Sequence, residues 1–282
     1  MSTIRLGQVE YLNCLPVYHA LEEGLVDFRG SLVKGPPSRL NRLFLEGDLD
    51  VTPASSIVYA RNSDKCLILP DISISADGRV ESILLFSRCP VTELEGKKVA
   101  ITTSTATSVV LLKILMDHYF HVQAEFLPRD PDLKEMLKEC DGALLIGDDA
   151  MLAHRVVLDQ GLDLNVTDLG EAWKNFTGER MVYAVWLVRE EFAREHPDQV
   201  TGISRLLVAS KEMGLADPGP VIRKGQRLTG LPLPVLEDYF LTIRYDFDEK
   251  YRRALTLFYD YAYKSGVIES RAALRIWGEV NG

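Results

Sequence analysis

Within its first 150 residues the chain four times ends an apolar run in a cluster of small polar residues and enters a helical pattern. The four corners read "YLN" (Tyr11–Asn13), "ASS" (Ala54–Ser56), "TSTATS" (Thr103–Ser108) and "IGDD" (Ile146–Asp149). Strand, polar corner and helix in repetition demand parallel strands with crossover helices, so the chain is expected to be α/β with mostly parallel sheet. Ile4, Leu6 and Val9 make the first strand, followed by a helix from about Pro16 to Glu23 that Gly24 ends. Leu40, Leu43 and Phe44 share one face of a second helix closed by Gly47. The rhythm restarts after Pro90: Val99 and Ile101 lie in a strand, and Val109, Leu112, Met116 and Tyr119 form a helical stripe. "RMVYAVWLV" reads as a late strand, and from Glu190 onward the pattern is nearly all helical.

No Gly/Ser linker separates the two α/β stretches, so strands must connect them and leave a cleft between two lobes. Open α/β sheets bind ligands beyond the carboxyl ends of their strands. Every corner above sits at such an end. Converged on one cleft, they would offer neutral donors and helix N-termini, a chemistry suited to a carboxylate or phosphate.

The net charge of −9, from 41 acids against 32 bases with no basic block, argues against nucleic acid and anionic membranes as partners. No apolar run approaches the roughly 18 residues of a membrane span, and the N-terminus does not read as a secretory signal. A cytoplasmic, soluble protein is expected. The four cysteines lack C-x-x-C spacing and are expected to be free thiols. The five histidines form no zinc set and no dinucleotide fingerprint is present, so neither metal nor organic cofactor is expected.

The candidate site residues each have a plainer reading. Asn13 suits a helix cap, or an amide that also touches ligand. Cys14 lies near a helix start, which can activate a thiol, but no base is placed for it. Thr102–Ser108 carries more hydroxyls than a cap requires and reads as an anion cradle without the Gly and Lys of a P-loop. Ser55 and Ser56 are a weaker version of it. Asp148 and Asp149 are caps complementing a helix dipole, or general bases. Trp173 and Trp186 read as packing rather than stacking platforms.

These corners, in this order, resemble the menaquinone-biosynthesis family of the futalosine route, and within it the chorismate dehydratases. The matching segments are "GQVEYLNCLPVYHAL", "PPSRLNRLFLEGDLDVTPASSIVYA", "LPDISISADGRVESILLFSRCP", "LEGKKVAITTSTATSVVLLKIL", "ALLIGDDAML", "DLGEAWKNFTG" and "YAVWLV", spanning residues 7 to about 188. The helical C-terminal part adds length and no motif. The resemblance implies a two-lobe fold like that of type II periplasmic-binding proteins. Lobe 1 would hold residues 1–87 and 186–282 with the C-terminal helices, lobe 2 residues 88–185, and the hinge two strands near Ser82–Ser87 and Tyr183–Val188. It implies a cofactor-free hydro-lyase that converts chorismate, a small dicarboxylate, to 3-[(1-carboxyvinyl)oxy]benzoate and water. The sister enzyme, 1,4-dihydroxy-6-naphthoate synthase, and a non-catalytic cytoplasmic solute-binding protein are the alternatives. Carried over by residue, Asn13 would hold the enolpyruvyl end or the leaving hydroxyl. Ser56 and Ser82 would bind a carboxylate from lobe 1 and the hinge. Thr105, Ala106 and Thr107 would bind one from lobe 2, and Ile146 and Gly147 would line the ring. Glu81, Glu179 and Arg180 depart from the family pattern beside the hinge.

Overall fold

The computed structural model describes residues 3–102 and 106–279. The first α/β stretch comprises β1 (Arg5–Val9), α1 (Leu15–Glu22), β2 (Ser31–Gly35), α2 (Pro37–Glu46), β3 (Val51–Ser55), α3 (Ser56–Ala60) and β4 (Cys66–Ala76). A short 3-10 turn, Leu12–Cys14, links β1 to α1. The second stretch comprises β5 (Ile83–Ser87), β6 (Lys98–Thr102), α4 (Thr107–Leu115), β7 (Glu125–Arg129), α5 (Leu133–Glu139), β8 (Gly142–Ile146), α6 (Gly147–Gln160), β9 (Asn165–Asp168) and α7 (Leu169–Thr177). Then come β10 (Met181–Arg189) and the helices α8 (Glu190–Glu195), α9 (Pro197–Ala216), α10 (Pro218–Thr229), α11 (Leu233–Thr242) and α12 (Glu249–Lys264). No helix among the described residues is long and apolar enough to cross a membrane.

Two five-stranded mixed sheets result, ordered β2-β1-β3-β10-β4 and β7-β6-β8-β5-β9. In each, four strands run in one direction, three of them adjacent, and the fifth enters antiparallel to both its neighbours: β10 between β3 and β4, and β5 between β8 and β9. Each of the two strands expected to connect the α/β stretches lies within one sheet. Ile83–Ser87 belongs to the second sheet, and Met181–Arg189 belongs to the first along its whole length. The chain therefore crosses between sheets at 77–82 and again at 178–180, not within the strands themselves. Buried-strand composition identified both segments as strands but carries no information about which sheet completes their hydrogen bonds.

The crossings are firmly tied. Asp168 caps α7 by accepting from the amides of Gly170 and Glu171, and its carboxylate also accepts from the amides of Val80 (3.0 Å) and Glu81 (2.7 Å). Those bonds hold Glu81 at φ +63, a left-handed conformation that costs a non-glycine residue about 1 kcal/mol or more. Asp77, on the outgoing crossing, pairs with Arg180 on the return at 2.9 Å. The three departures noted in the sequence thus fall at the crossings: Glu81 pairs with Arg79, Arg180 pairs with Asp77, and Glu179 lies between β10 and α7.

The first sheet is pinned at one end by Asp50, which is 2% exposed. Its carboxylate takes hydrogen bonds from the Arg5 amide and guanidinium and from Arg189, joining β1, β3 and β10. Trp186 and Trp173 are fully buried, as packing residues should be. Trp186 donates to the Tyr18 hydroxyl, which donates in turn to the Gly7 carbonyl. The stripe expected on α4 proves too narrow: Val110, Leu111, Ile114 and Leu115 are buried as well, while Tyr119, in the π-helical turn Met116–Phe120 that continues α4, is exposed. The helix lies in the core rather than at a surface, so no polar face is required. The C-terminal helices are not a detached tail. α9 packs along α1 and β4, and α12 covers β10, α3 and α4.

Candidate functional site

A cleft opens between the two sheets. Its walls come from all four polar corners. Val9 ends β1 and Tyr11, Asn13 and Cys14 follow it, and Pro53, Ala54 and Ser55 end β3. Thr107 and Ser108 begin α4, and Ile146 and Gly147 join β8 to α6. The crossing and β10 add Val80, Ser82, Ile83, Tyr183 and Ala184. Tyr183 falls at a register break between β10 and β4, which is why two successive residues of one strand reach the same cavity. No Asp, Glu, His, Lys or Arg side chain lines the cleft among the described residues. Its polar groups are an amide, hydroxyls and helix starts, set in apolar walls.

The position of Asn13 is not that of a helix cap. It lies inside the 3-10 turn, and α1 begins with Cys14 at the N-cap and Pro16 in the first turn. Neither helix start has a side-chain cap bond, so Asn13 is no cap; it is half-buried on the cleft wall. Cys14 is buried, and burial, with Asp148 nearby, pushes its thiol up to about 12, the opposite of an activated nucleophile. Tyr183 is 6% exposed and its hydroxyl has no partner among the described residues.

Ser82 and Thr107 are held at the cleft wall by bonds to their surroundings. The Ser82 hydroxyl accepts from Tyr239 at 3.1 Å, and the Ser82 carbonyl accepts from the amide of Gly147 at 2.6 Å. Gly147 stands at φ +58, with a would-be Cβ facing the Tyr11 ring at 3.6 Å, so glycine suits both the backbone and the contact. Thr107 Oγ1 accepts from the Ile57 amide at 3.1 Å and lies 3.3 Å from Ser56 Oγ. Ser56 is fully buried and donates to the Val182 carbonyl at 2.9 Å. It sits behind the wall, and its neighbour Ser55 is the serine that lines the cleft. Strand β3 ends at Ser55 and α3 starts at Ser56, so the change of period at that point turns adjacent side chains in different directions. Ala106 is half-buried beside α4 and is not on the wall, and Thr105 lies outside the described residues.

The carboxyl of Asp148, at the second position of α6, accepts from the Leu12 amide at 3.1 Å. Burial raises its pKa to about 6, against the pull of the Leu12 bond and with a further push from Asp149. Asp149 is exposed and raised by partial burial alone. Neither acid lines the cleft. Asp148 acts on the corner that carries Asn13 instead. Tyr239, on α11, and Tyr259, on α12, whose hydroxyl donates to the Ser56 carbonyl at 2.7 Å, buttress two corners from the C-terminal helices. Sequence offered no sign of either, because a tyrosine on an amphipathic helix looks the same whether it donates to solvent or to a buried serine.

A family model described as menaquinone biosynthesis matches residues 4–264. Chorismate dehydratase from Thermus thermophilus is 33% identical over 264 residues, covering 90% of this chain and 93% of the relative. The 1,4-dihydroxy-6-naphtoate synthase of the same organism is 29% identical over 193 residues, covering 68% of each. Among solved structures, the alkanesulfonate-binding protein SsuA from Xanthomonas axonopodis pv. citri superposes with a TM-score of 0.71 at 17% identity over 98% of both chains. A Candida albicans protein described as having the generic periplasmic binding protein fold superposes with a TM-score of 0.67 at 10% identity, covering 100% of this chain and 99% of that one. The two-sheet architecture is the periplasmic-binding-protein fold.

Proposed function

The chain belongs to the menaquinone-biosynthesis family, and from that premise we propose that it is a chorismate dehydratase, a hydro-lyase releasing 3-[(1-carboxyvinyl)oxy]benzoate and water. The observation that carries the reading is the cleft itself. Four polar corners from two sheets surround it with neutral donors, and among the described residues no side-chain base lines its wall.

Chorismate needs little more. The hydrogen on the ring carbon bearing the enolpyruvyl ether is acidified through the diene to the ring carboxylate. Its removal and the loss of the neighbouring hydroxyl make the ring aromatic, and one water leaves. Hydrogen bonds to the ring carboxylate stabilise the charge that spreads onto it, and they do so most effectively in an apolar surround. Ser82 and Ser55 from one side, Thr107 and Ser108 from the other, are the donors in reach of two carboxylates. Asn13 would steady the leaving hydroxyl or the enolpyruvyl end. With no basic side chain on the wall among the described residues, the enolpyruvyl carboxylate of the substrate is the base that takes the proton, and orientation supplies much of the rate. Each sheet with its helices forms one lobe, and the crossings at 77–82 and 178–180 serve as the hinge.

Incubating the purified protein with chorismate tests the reading: mass spectrometry should find an aromatic product lighter by one water. Unchanged chorismate removes the proposal. Chorismate that is bound but not converted would assign a solute-binding role, and conversion of the cyclic dehypoxanthine intermediate alone would assign the naphthoate synthase reaction.

A further inference from the structure

Ser82 has a partner that the functional reading does not use. Tyr239 is fully buried on α11, and its hydroxyl donates to Ser82 Oγ at 3.1 Å. A serine hydroxyl has one proton to give and two lone pairs to receive. With one lone pair taken by Tyr239, the proton must point elsewhere. Among the described residues it reaches the Val80 carbonyl at 3.3 Å, long for an O–H···O bond, whose usual distance is about 2.7–2.8 Å. The serine therefore faces the cleft with a weakly engaged proton.

We propose that Tyr239 is a positioning residue, fixing Ser82 as a hydrogen-bond donor toward a carboxylate oxygen of the bound substrate. This rests on the reading that the cleft takes chorismate. An anionic oxygen is served by a donor and repelled by a lone pair, and an unconstrained serine turns either way. The tyrosine removes the wrong orientation before the ligand arrives, and a donor chain of two hydroxyls strengthens the second bond. Burial holds the Tyr239 phenol well above its usual range, although the Ser82 bond pulls the other way, so the donor keeps its proton throughout the working pH range. The Ser82 carbonyl, fixed by the Gly147 amide, sets the serine backbone while Tyr239 sets the hydroxyl.

The test is a double-mutant cycle on kcat/KM with chorismate, using Tyr239→Phe, Ser82→Ala and both together. Phe keeps the buried ring and removes one oxygen, and melting curves establish that each variant is folded. Tyr239→Phe should lower kcat/KM about three- to tenfold, and Ser82→Ala about ten- to a hundredfold. The double variant should match Ser82→Ala within about twofold, because without the serine hydroxyl the tyrosine has nothing to orient. A folded Tyr239→Phe with wild-type kcat/KM overturns the proposal. So does a double variant whose loss is the product of the two single losses, since a tyrosine acting through packing would not need Ser82. Either result in an active enzyme defeats this inference alone, whereas a wild-type protein that leaves chorismate unchanged defeats the functional reading as well.

Discussion

The backbone amide of Leu12, in the 3-10 turn after the first sheet's opening strand, donates at 3.1 Å to the carboxyl of Asp148 at the head of the second sheet's α6. A second bond of the same kind joins the Ile57 amide to Thr107 Oγ1 at 3.1 Å. In both, an N–H of the first lobe meets an oxygen of the second. Such bonds are worth about 1 kcal/mol net, because water replaces them when the lobes part. They fasten the cleft without sealing it.

Asp148→Asn separates that bond from its charge, because an amide oxygen still accepts from Leu12. The carboxyl is raised in the folded state to about 6, chiefly by burial, from an ordinary value near 3.8. The folded protein therefore holds more protons than the unfolded chain between about pH 4 and 6, and stability falls as pH rises through that window. The Asn variant is free of this penalty. Urea unfolding should show it gaining on wild type by on the order of 2–3 kcal/mol between pH 4 and pH 7.5. A stability difference that does not change with pH would contradict the assignment.

Asn13→Ala should leave the melting temperature nearly unchanged, because no cap bond is lost at either helix start. Loss of a hydrogen bond to charged or charge-developing substrate, about 1.5–3 kcal/mol, should lower kcat/KM roughly ten- to a hundredfold. Asn13→Asp sets a carboxylate against a dianionic substrate and should lose at least as much. A fully active Asp variant would place the substrate elsewhere.

Thr107→Val keeps the shape and takes away the acceptor of the buried Ile57 amide. The unsatisfied donor should cost about 1–3 kcal/mol in the closed form and shift the lobes toward an open one. Small-angle scattering without ligand should report a larger radius of gyration than wild type, and saturating product should restore compaction. Identical profiles for the two proteins would show that this bond does not govern closure.

Asp50→Asn probes the first lobe alone. Burial by itself would raise the Asp50 carboxyl, but the bonds from Arg5 and Arg189 outweigh it and hold the group below its ordinary value. Its stabilisation is therefore complete above the unfolded pKa near 3.9 and is lost as pH falls through the folded one. Asp50→Asn should destabilise by about 3 kcal/mol at pH 7 and by progressively less below about pH 4. A constant difference in acid melts would mean that the ion cluster does not tie β1 to β10.

How far the sequence could be read depended on the range of the signal. The corners were legible because strand, hydroxyl cluster and helix follow one another within a few residues, and Asn13, Ser82, Thr107, Ile146 and Gly147 all lie on the cleft wall. Ser56 lies behind the wall and Ser55 on it because the strand-to-helix boundary decides which serine turns inward, and composition does not mark that boundary. That β5, ending at Ser87, pairs within the second sheet is hidden for a similar reason: an apolar run shows burial on both faces but not its partner strands. Tyr239 meets Ser82 across 157 positions, and no local pattern encodes so distant a pair.

The two crossings also have a consequence for synthesis. The second sheet comes from one uninterrupted stretch between 83 and 177, whose entrance and exit meet at the Asp77–Arg180 pair. The first lobe is interrupted: β3 and β4 are separated by a gap that only β10 fills. On the ribosome, then, the lobe encoded in the middle can finish its sheet while the lobe encoded first still waits for residues 181–189. Order of translation and order of completion are reversed, and until β10 emerges the edges of β3 and β4 are the exposed strand edges that a nascent chain must keep from pairing with another.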